Sequence, residues 1–127
     1  MNDEPSLVDE FCRSLTEMAR LANENSRAHG FWSWYEAHKN EPESVIIWKL
    51  SRIALIHSES SECLEGVRKG LADDHLLNRT MEVAELADTV IRILDYCAGH
   101  NLPLAEVILE KMKYNTNRPV MHGDKKA

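Results

Sequence analysis

The stretch Ser44-Val45-Ile46-Ile47-Trp48-Lys49-Leu50-Ser51-Arg52-Ile53-Ala54-Leu55-Ile56-His57-Ser58-Glu59-Ser60-Ser61-Glu62-Cys63-Leu64-Glu65-Gly66-Val67-Arg68-Lys69-Gly70 decides the fold. Ile46, Leu50, Ile53, Ile56, Leu64 and Val67 fall on one side of a 3.6-residue period, which predicts an amphipathic helix over about 44–69 with those side chains facing inward. Gly70 reads as its C-cap. The next periodic segment, about 80–98, carries Val83, Leu86, Ala87, Val90, Ile91 and Leu94 on its expected buried side, with Gly99 as its end. Between the two lies only the short polar linker 71–79, so the two helices are expected to run antiparallel.

The same periodicity extends to both sides. Val8, Phe11, Cys12, Leu15, Met18, Ala19 and Ala22 form one apolar face over about 6–25, with Ser6 as N-cap. Arg27 to Glu43 reads as a loop with room for a short helical turn. Pro103 suits a first helical turn, and Leu104, Val107, Ile108 and Met112 mark a fourth helix over about 103–114. Residues 115–127 read as an irregular basic tail. No segment alternates as a strand does, so the chain is expected to be one all-α domain over 1–127, a four-helix bundle.

Composition fits a globule: of 127 residues, 43% are hydrophobic and 28% charged. No apolar run approaches the roughly 20 residues that span a bilayer, and the acidic start is unlike a secretory signal, so a cytoplasmic protein without membrane contact is expected. Cys12, Cys63 and Cys97 make no CxxC pair, which argues against a zinc site or a disulfide framework. The net charge of −6 disfavours nucleic-acid binding. Lys111, Lys113, Arg118, Lys125 and Lys126 nevertheless gather near the end of an otherwise acidic chain. That polarity suits a polyanionic ligand that reaches the acidic part through a cation.

The acids are patterned. Glu59-x-x-Glu62 and Glu85-x-x-Asp88 each project two carboxylates from one helical face. Both pairs border the apolar stripes, so four carboxylates are expected to meet at a helix seam. Their repulsion and poor solvation need an offset, and an all-oxygen donor set suits Mg²⁺, with Mn²⁺ possible, rather than zinc. A solvated face is the alternative reading of each pair. Asp95 reads equally as a further ligand or as an ion-pair partner of Arg92 or a neighbouring base. A carboxylate-bridged di-iron site calls for Glu-x-x-His, and neither Glu59 nor Glu85 has a histidine three residues on.

Three runs in order resemble the MazG-like branch of the all-α NTP pyrophosphohydrolases: Leu55 to Glu62, then Glu82-Val83-Ala84-Glu85-Leu86-Ala87-Asp88, then Lys111-Met112-Lys113-Tyr114-Asn115-Thr116-Asn117-Arg118-Pro119. The resemblance covers about residues 45–122. It implies Mg²⁺-dependent hydrolysis of a nucleoside triphosphate, expected to be a deoxyribonucleotide, to the monophosphate and pyrophosphate, in nucleotide-pool control or housecleaning. It also implies a homodimer or homotetramer. Carried over by position, Glu59, Glu62, Glu85 and Asp88 are the expected metal ligands. Glu59 or Glu62 is the expected proton acceptor from the attacking water.

Lys111, Lys113 and Arg118 are expected at the β and γ phosphates, with Tyr114 and Asn115 at the sugar or a phosphate oxygen. Phe31, Trp32, Trp34 and Trp48 are candidates to stack on the base, and core packing, or subunit contact, explains the aromatic cluster equally well. His57 is a further candidate for the same pocket, though a satisfied structural histidine is the stronger reading of it. The competing reading is a non-catalytic helical interaction or regulatory module with a solvated acidic face.

Overall fold

The computed structural model describes residue 4 and residues 6–120, and among these the fold is helical, with one isolated β-bridge between Ala72 and Thr80 and no strand. Five helices follow in order: α1 Leu7–Ala28, α2 Ser33–His38, α3 Pro42–Lys69, α4 Met81–Gly99 and α5 Leu104–Thr116. Lys125 and Lys126 lie outside the described residues.

Local chemistry fixes the ends. The Ser6 hydroxyl accepts from the Asp9 amide at 3.1 Å, and Asp9 and Glu10 add negative charge where the first turn exposes its N–H groups. Thr80 does the same for α4, accepting from the Val83 amide at 3.3 Å. α3 starts at Pro42, whose missing N–H costs nothing in a first turn. It stops at Gly70, where φ of 62° places the chain in the left-handed region that a side chain would resist.

The sequence places the end of α4 at Gly99, and the structure corrects the reason. The helix runs through Gly99, His100 caps it, and the left-handed residue is Asn101 with φ of 55°. Gly99 is needed for a close approach instead: a Cβ there would lie 2.0 Å from Cη2 of Trp32.

The connection after α3 is tied down. Asp73 Oδ2 accepts from the amides of His75 at 3.0 Å and Leu76 at 2.7 Å, and the Met81 amide donates to the Leu71 carbonyl at 2.9 Å. This turn folds α4 back along α3. α4 packs against α3 and against α1, α5 packs against α1, and α2 against α3.

The inward face of α3 differs from the expected one. Trp48 and Gly66 are buried, and Arg52, Leu55, Ile56, Glu59 and Cys63 are partly so, which is one face at spacings of three and four. Of the expected stripe only Ile56 belongs to it. Ile46, Leu50, Ile53, Leu64 and Val67 are exposed, Leu50 by 65% and Leu64 by 63%. On α4, Leu94 is buried as expected, whereas Val83, Leu86, Ala87, Val90 and Ile91 are exposed. On α1, Ala19 is buried and Cys12, Leu15 and Ala22 are half-buried, while Val8, Phe11 and Met18 are exposed. The physical reason is that the contacts within the chain are made by a stripe carrying Trp48, Arg52, Glu59 and Gly66, whose polar and small members weaken its apolar signal.

Candidate functional site

Two helical faces meet at the site. Trp48, Arg52, Leu55, Glu59 and Glu62 repeat at four and three along α3, and Glu85, Asp88, Arg92 and Asp95 at three and four along α4. Because α3 and α4 pack together, the two rows come face to face. Glu59, Glu85 and Asp88 each offer a carboxylate oxygen within 4.8 Å of the others'. Glu62 is exposed and stands beside this trio, close enough to act on the carboxyl groups of Glu59 and Glu85.

Two unit charges at such a separation repel by about 3 kcal/mol when partly screened by protein and water. The trio therefore cannot be fully ionised without a counter-charge. The titrations divide accordingly. Its hydrogen bond with Glu59, then burial, then Glu62 push Glu85 up to about 8. Burial also raises Asp88, aided by the charge of Glu59, and Asp73 on the α3–α4 connection adds to it. For Glu59 burial acts upward, but hydrogen bonds from Glu85 and Arg92 outweigh it and hold the carboxyl below its usual range.

Glu85 is only 8% exposed, and its Oε2 is buried without a hydrogen-bond partner. A buried polar atom of that kind costs roughly 1–3 kcal/mol and needs an explanation. A hard cation supplies one: three carboxylates converge, one of them has an oxygen with nothing to bind, and no nitrogen or sulfur donor belongs to the group.

A cavity of about 240 Å³ opens beside the trio, lined by Asn25, Ser26, Phe31, Glu59, Asp88, Ile91, Arg92 and Asp95 among others. A second, of about 200 Å³, shares Ser26, Phe31, Arg92 and Asp95 with it and adds Trp32, Trp48, Arg52, Leu55 and Tyr96. Glu59 and Asp88 thus border a recess whose further half has aromatic walls.

No protein-family model, curated protein or solved structure matches this chain.

The aromatic candidates separate by position. Phe31 lines both cavities and is 62% exposed. Trp32 and Trp48 line the second and are otherwise buried against each other, with ring centroids 5.2 Å apart. Trp34 lines neither; it stacks on His38 at 4.1 Å and on Trp48 at 6.2 Å. His57 is exposed and also lines neither cavity.

Hydrogen bonds hold this corner. Trp32 Nε1 donates to Asp95 Oδ1 at 2.9 Å, an oxygen that also accepts from Asn23 Nδ2 at 2.9 Å. Asp95 is therefore neither in the carboxylate trio nor in an ion pair with Arg92; it holds the Trp32 indole, and its charge acts on the neighbouring bases Arg52 and His100. Trp48 Nε1 donates to His100 Nε2 at 3.2 Å, which requires a neutral imidazole, in keeping with burial lowering the His100 pKa.

None of Lys111, Lys113, Tyr114, Asn115 and Arg118 lines these cavities. Lys111 and Arg118 flank the Tyr114 ring at 5.1 and 5.8 Å. The cations that the structure does bring to the site are Arg92, whose Nε donates to Glu59 Oε1 at 2.7 Å, and Arg52, which lies over the Trp48 ring at 4.3 Å. Their spacing was a usable signal, since Arg52 falls seven residues before Glu59 and Arg92 four after Asp88 on the same helical faces.

Proposed function

We propose that this chain is a Mg²⁺-dependent nucleoside triphosphate pyrophosphohydrolase, acting on a deoxyribonucleoside triphosphate and yielding the monophosphate and pyrophosphate. The observation that carries this reading is the carboxylate trio of Glu59, Glu85 and Asp88, with a buried, unpartnered oxygen on Glu85, two of whose members, Glu59 and Asp88, line a cavity that adjoins one with aromatic walls. The order of acidic motifs that resembles the MazG-like enzymes supports the choice of reaction.

Glu59, Glu85 and Asp88 would hold Mg²⁺, or Mn²⁺ in its place. When bound, the ion supplies Lewis acidity and neutralises phosphate charge. Glu62, beside the trio and open to solvent, is placed to take the proton as water attacks the α-phosphorus. The α–β bridging oxygen leaves with pyrophosphate, and the monophosphate keeps the new P–O bond. Phe31, exposed at the edge of both cavities, offers the base a flat apolar surface. Lys111, Lys113, Tyr114, Asn115 and Arg118 reach a triphosphate in this reading from a neighbouring copy.

Association fits the exposed face. Ile46, Leu50, Ile53, Leu64 and Val67 on α3, with Val83, Leu86 and Val90 on α4, are apolar and uncovered in the single chain. A homodimer or homotetramer joined there would bury them, around a bundle of α1, α3, α4 and α5 in each copy. The same face suits a non-catalytic interaction module, which predicts no turnover.

A panel of ribo- and deoxynucleoside triphosphates incubated with Mg²⁺, scored for pyrophosphate against orthophosphate, tests the proposal. Pyrophosphate is expected, with turnover lost and helicity kept in Glu62→Gln. Orthophosphate alone would exclude cleavage between the α and β phosphates.

A further inference from the structure

Arg92 spans the two halves of the site. Its Nε holds Glu59 Oε1 at 2.7 Å, and its side chain lines both the cavity beside the carboxylates and the aromatic one. The two partners differ in freedom. The Glu59 side chain is 12% exposed and that of Arg92 is 40% exposed, so packing fixes the carboxylate while the guanidinium sits on a long arm that can turn away.

Arg52 faces the same aromatic cavity. It lies over the Trp48 ring, its Nε donates to Ser51 Oγ at 3.2 Å, and among the described residues it makes no ion pair. The carboxylate shared by both cavities, Asp95, accepts from Trp32 and Asn23 through Oδ1, and its charge also acts on Arg52. Two guanidinium groups therefore border one recess of about 200 Å³, and the counter-charge that one of them uses, Glu59, belongs to the carboxylate trio.

The geometry points to Arg92 as an exchange residue: it holds Glu59 while the carboxylates lack a cation, gives Glu59 up when a divalent cation binds, and then joins Arg52 in binding a phosphate oxygen of the substrate. This rests on the cation site and the triphosphate substrate proposed above. The exchange follows from charge. A dication among three carboxylates removes most of the attraction that keeps Arg92 on Glu59. The released guanidinium then joins Arg52 at a small recess whose one carboxylate, Asp95, offsets only one of the two charges. The remaining positive charge attracts a phosphate, which accepts two parallel N–H bonds from an arginine. Cation and phosphate thereby bind in favoured order, the first exposing a donor for the second.

The test measures Mn²⁺ binding by the loss of the free-ion spin-resonance signal, and inorganic tripolyphosphate binding by calorimetry in saturating Mg²⁺. Both are run on the full chain and on Arg92→Gln and Arg92→Lys, with helicity checked by circular dichroism. The two affinities are expected to move in opposite directions: Arg92→Gln gains about five- to tenfold for Mn²⁺ and loses about tenfold for tripolyphosphate. Arg92→Lys, which keeps the charge without the fork, should fall between. A purely structural ion pair would lower the melting temperature and leave the two affinities unsplit.

If the parent binds Mn²⁺ and Arg92→Gln binds it no more tightly, the exchange is overturned while the cation site stands. If the parent binds no Mn²⁺, the cation site itself is lost and the exchange falls with it.

Discussion

Replacing Glu85 with Gln is expected to stabilise the metal-free protein, the reverse of what most changes at buried positions do. The magnitude follows from its titration, raised from 4.5 to about 8. The folded chain holds this proton more tightly than the unfolded chain, so the contribution of Glu85 is complete below pH 4.5 and is lost as pH rises to about 8. Each unit in that window costs the folded state about 1.4 kcal/mol, which comes to about 3 kcal/mol at pH 7. Relaxation of the seam reduces this to about 2 kcal/mol as a measurable gain.

Gln keeps the shape of the side chain and donates an N–H to Glu59 where the protonated carboxyl donated its O–H. For a chain of 127 residues the gain corresponds to a melting temperature about 8 °C higher at pH 7 in a chelator, with no difference at pH 4.5. Thermal melts from pH 4.5 to 8 measure it. Added Mn²⁺ should then raise the parent and leave Glu85→Gln unmoved. A variant that melts at or below the parent at pH 7 in chelator would mean that Glu85 is an ordinary solvated acid, and the case for a strained carboxylate trio would be refuted.

Mn²⁺ affinity should climb about tenfold per pH unit from pH 5 to about 8 and then level, because the cation must displace the proton of Glu85; a flat profile in isothermal titrations would contradict this. Gly99→Ala places a Cβ 2.0 Å from Cη2 of Trp32 and should cost about 2–3 kcal/mol in urea unfolding, and an unchanged midpoint would show that the ring can move aside freely. Leu50→Glu combined with Leu64→Glu puts charge on the exposed apolar face of α3 and should yield a helical monomer by sedimentation, where the parent is expected to sediment as a dimer or tetramer. Equal sedimentation of the two would place any association elsewhere.

The four long helices were legible in the sequence from their apolar periods and from local chemistry at some of their ends, Ser6 as a hydroxyl cap and Gly70 in the left-handed region, whereas the start of α3 at Pro42 fell in a segment that reads as a loop. The facing of α3 was not. Its strongest apolar period, through Leu50 and Leu64, lies on the side that the rest of the chain leaves open, while the side that α4 covers carries Arg52, Glu59 and Gly66. Periodicity measures which face avoids water, not which neighbour covers it. The carboxylate trio was legible because ExxE and ExxD spacing survives any register, whereas the place of Glu62 beside the trio depends on side-chain direction. The pairing of Arg92 with Glu59 rather than Asp95 crosses 33 positions of sequence and is set by the packing of α4 on α3.

Trp32, Trp34 and Trp48 are all the tryptophans this protein has, and they form one cluster at a single corner. Its intrinsic emission is therefore a gauge of that corner alone. Fraying of α5, or parting of α1 from α5, would leave the signal almost unchanged, whereas a ligand entering the recess between Phe31 and Trp48 would shift it at once. Spectroscopy on the unlabelled protein thus reads occupancy of the recess directly, and must be paired with a backbone probe before it is read as unfolding.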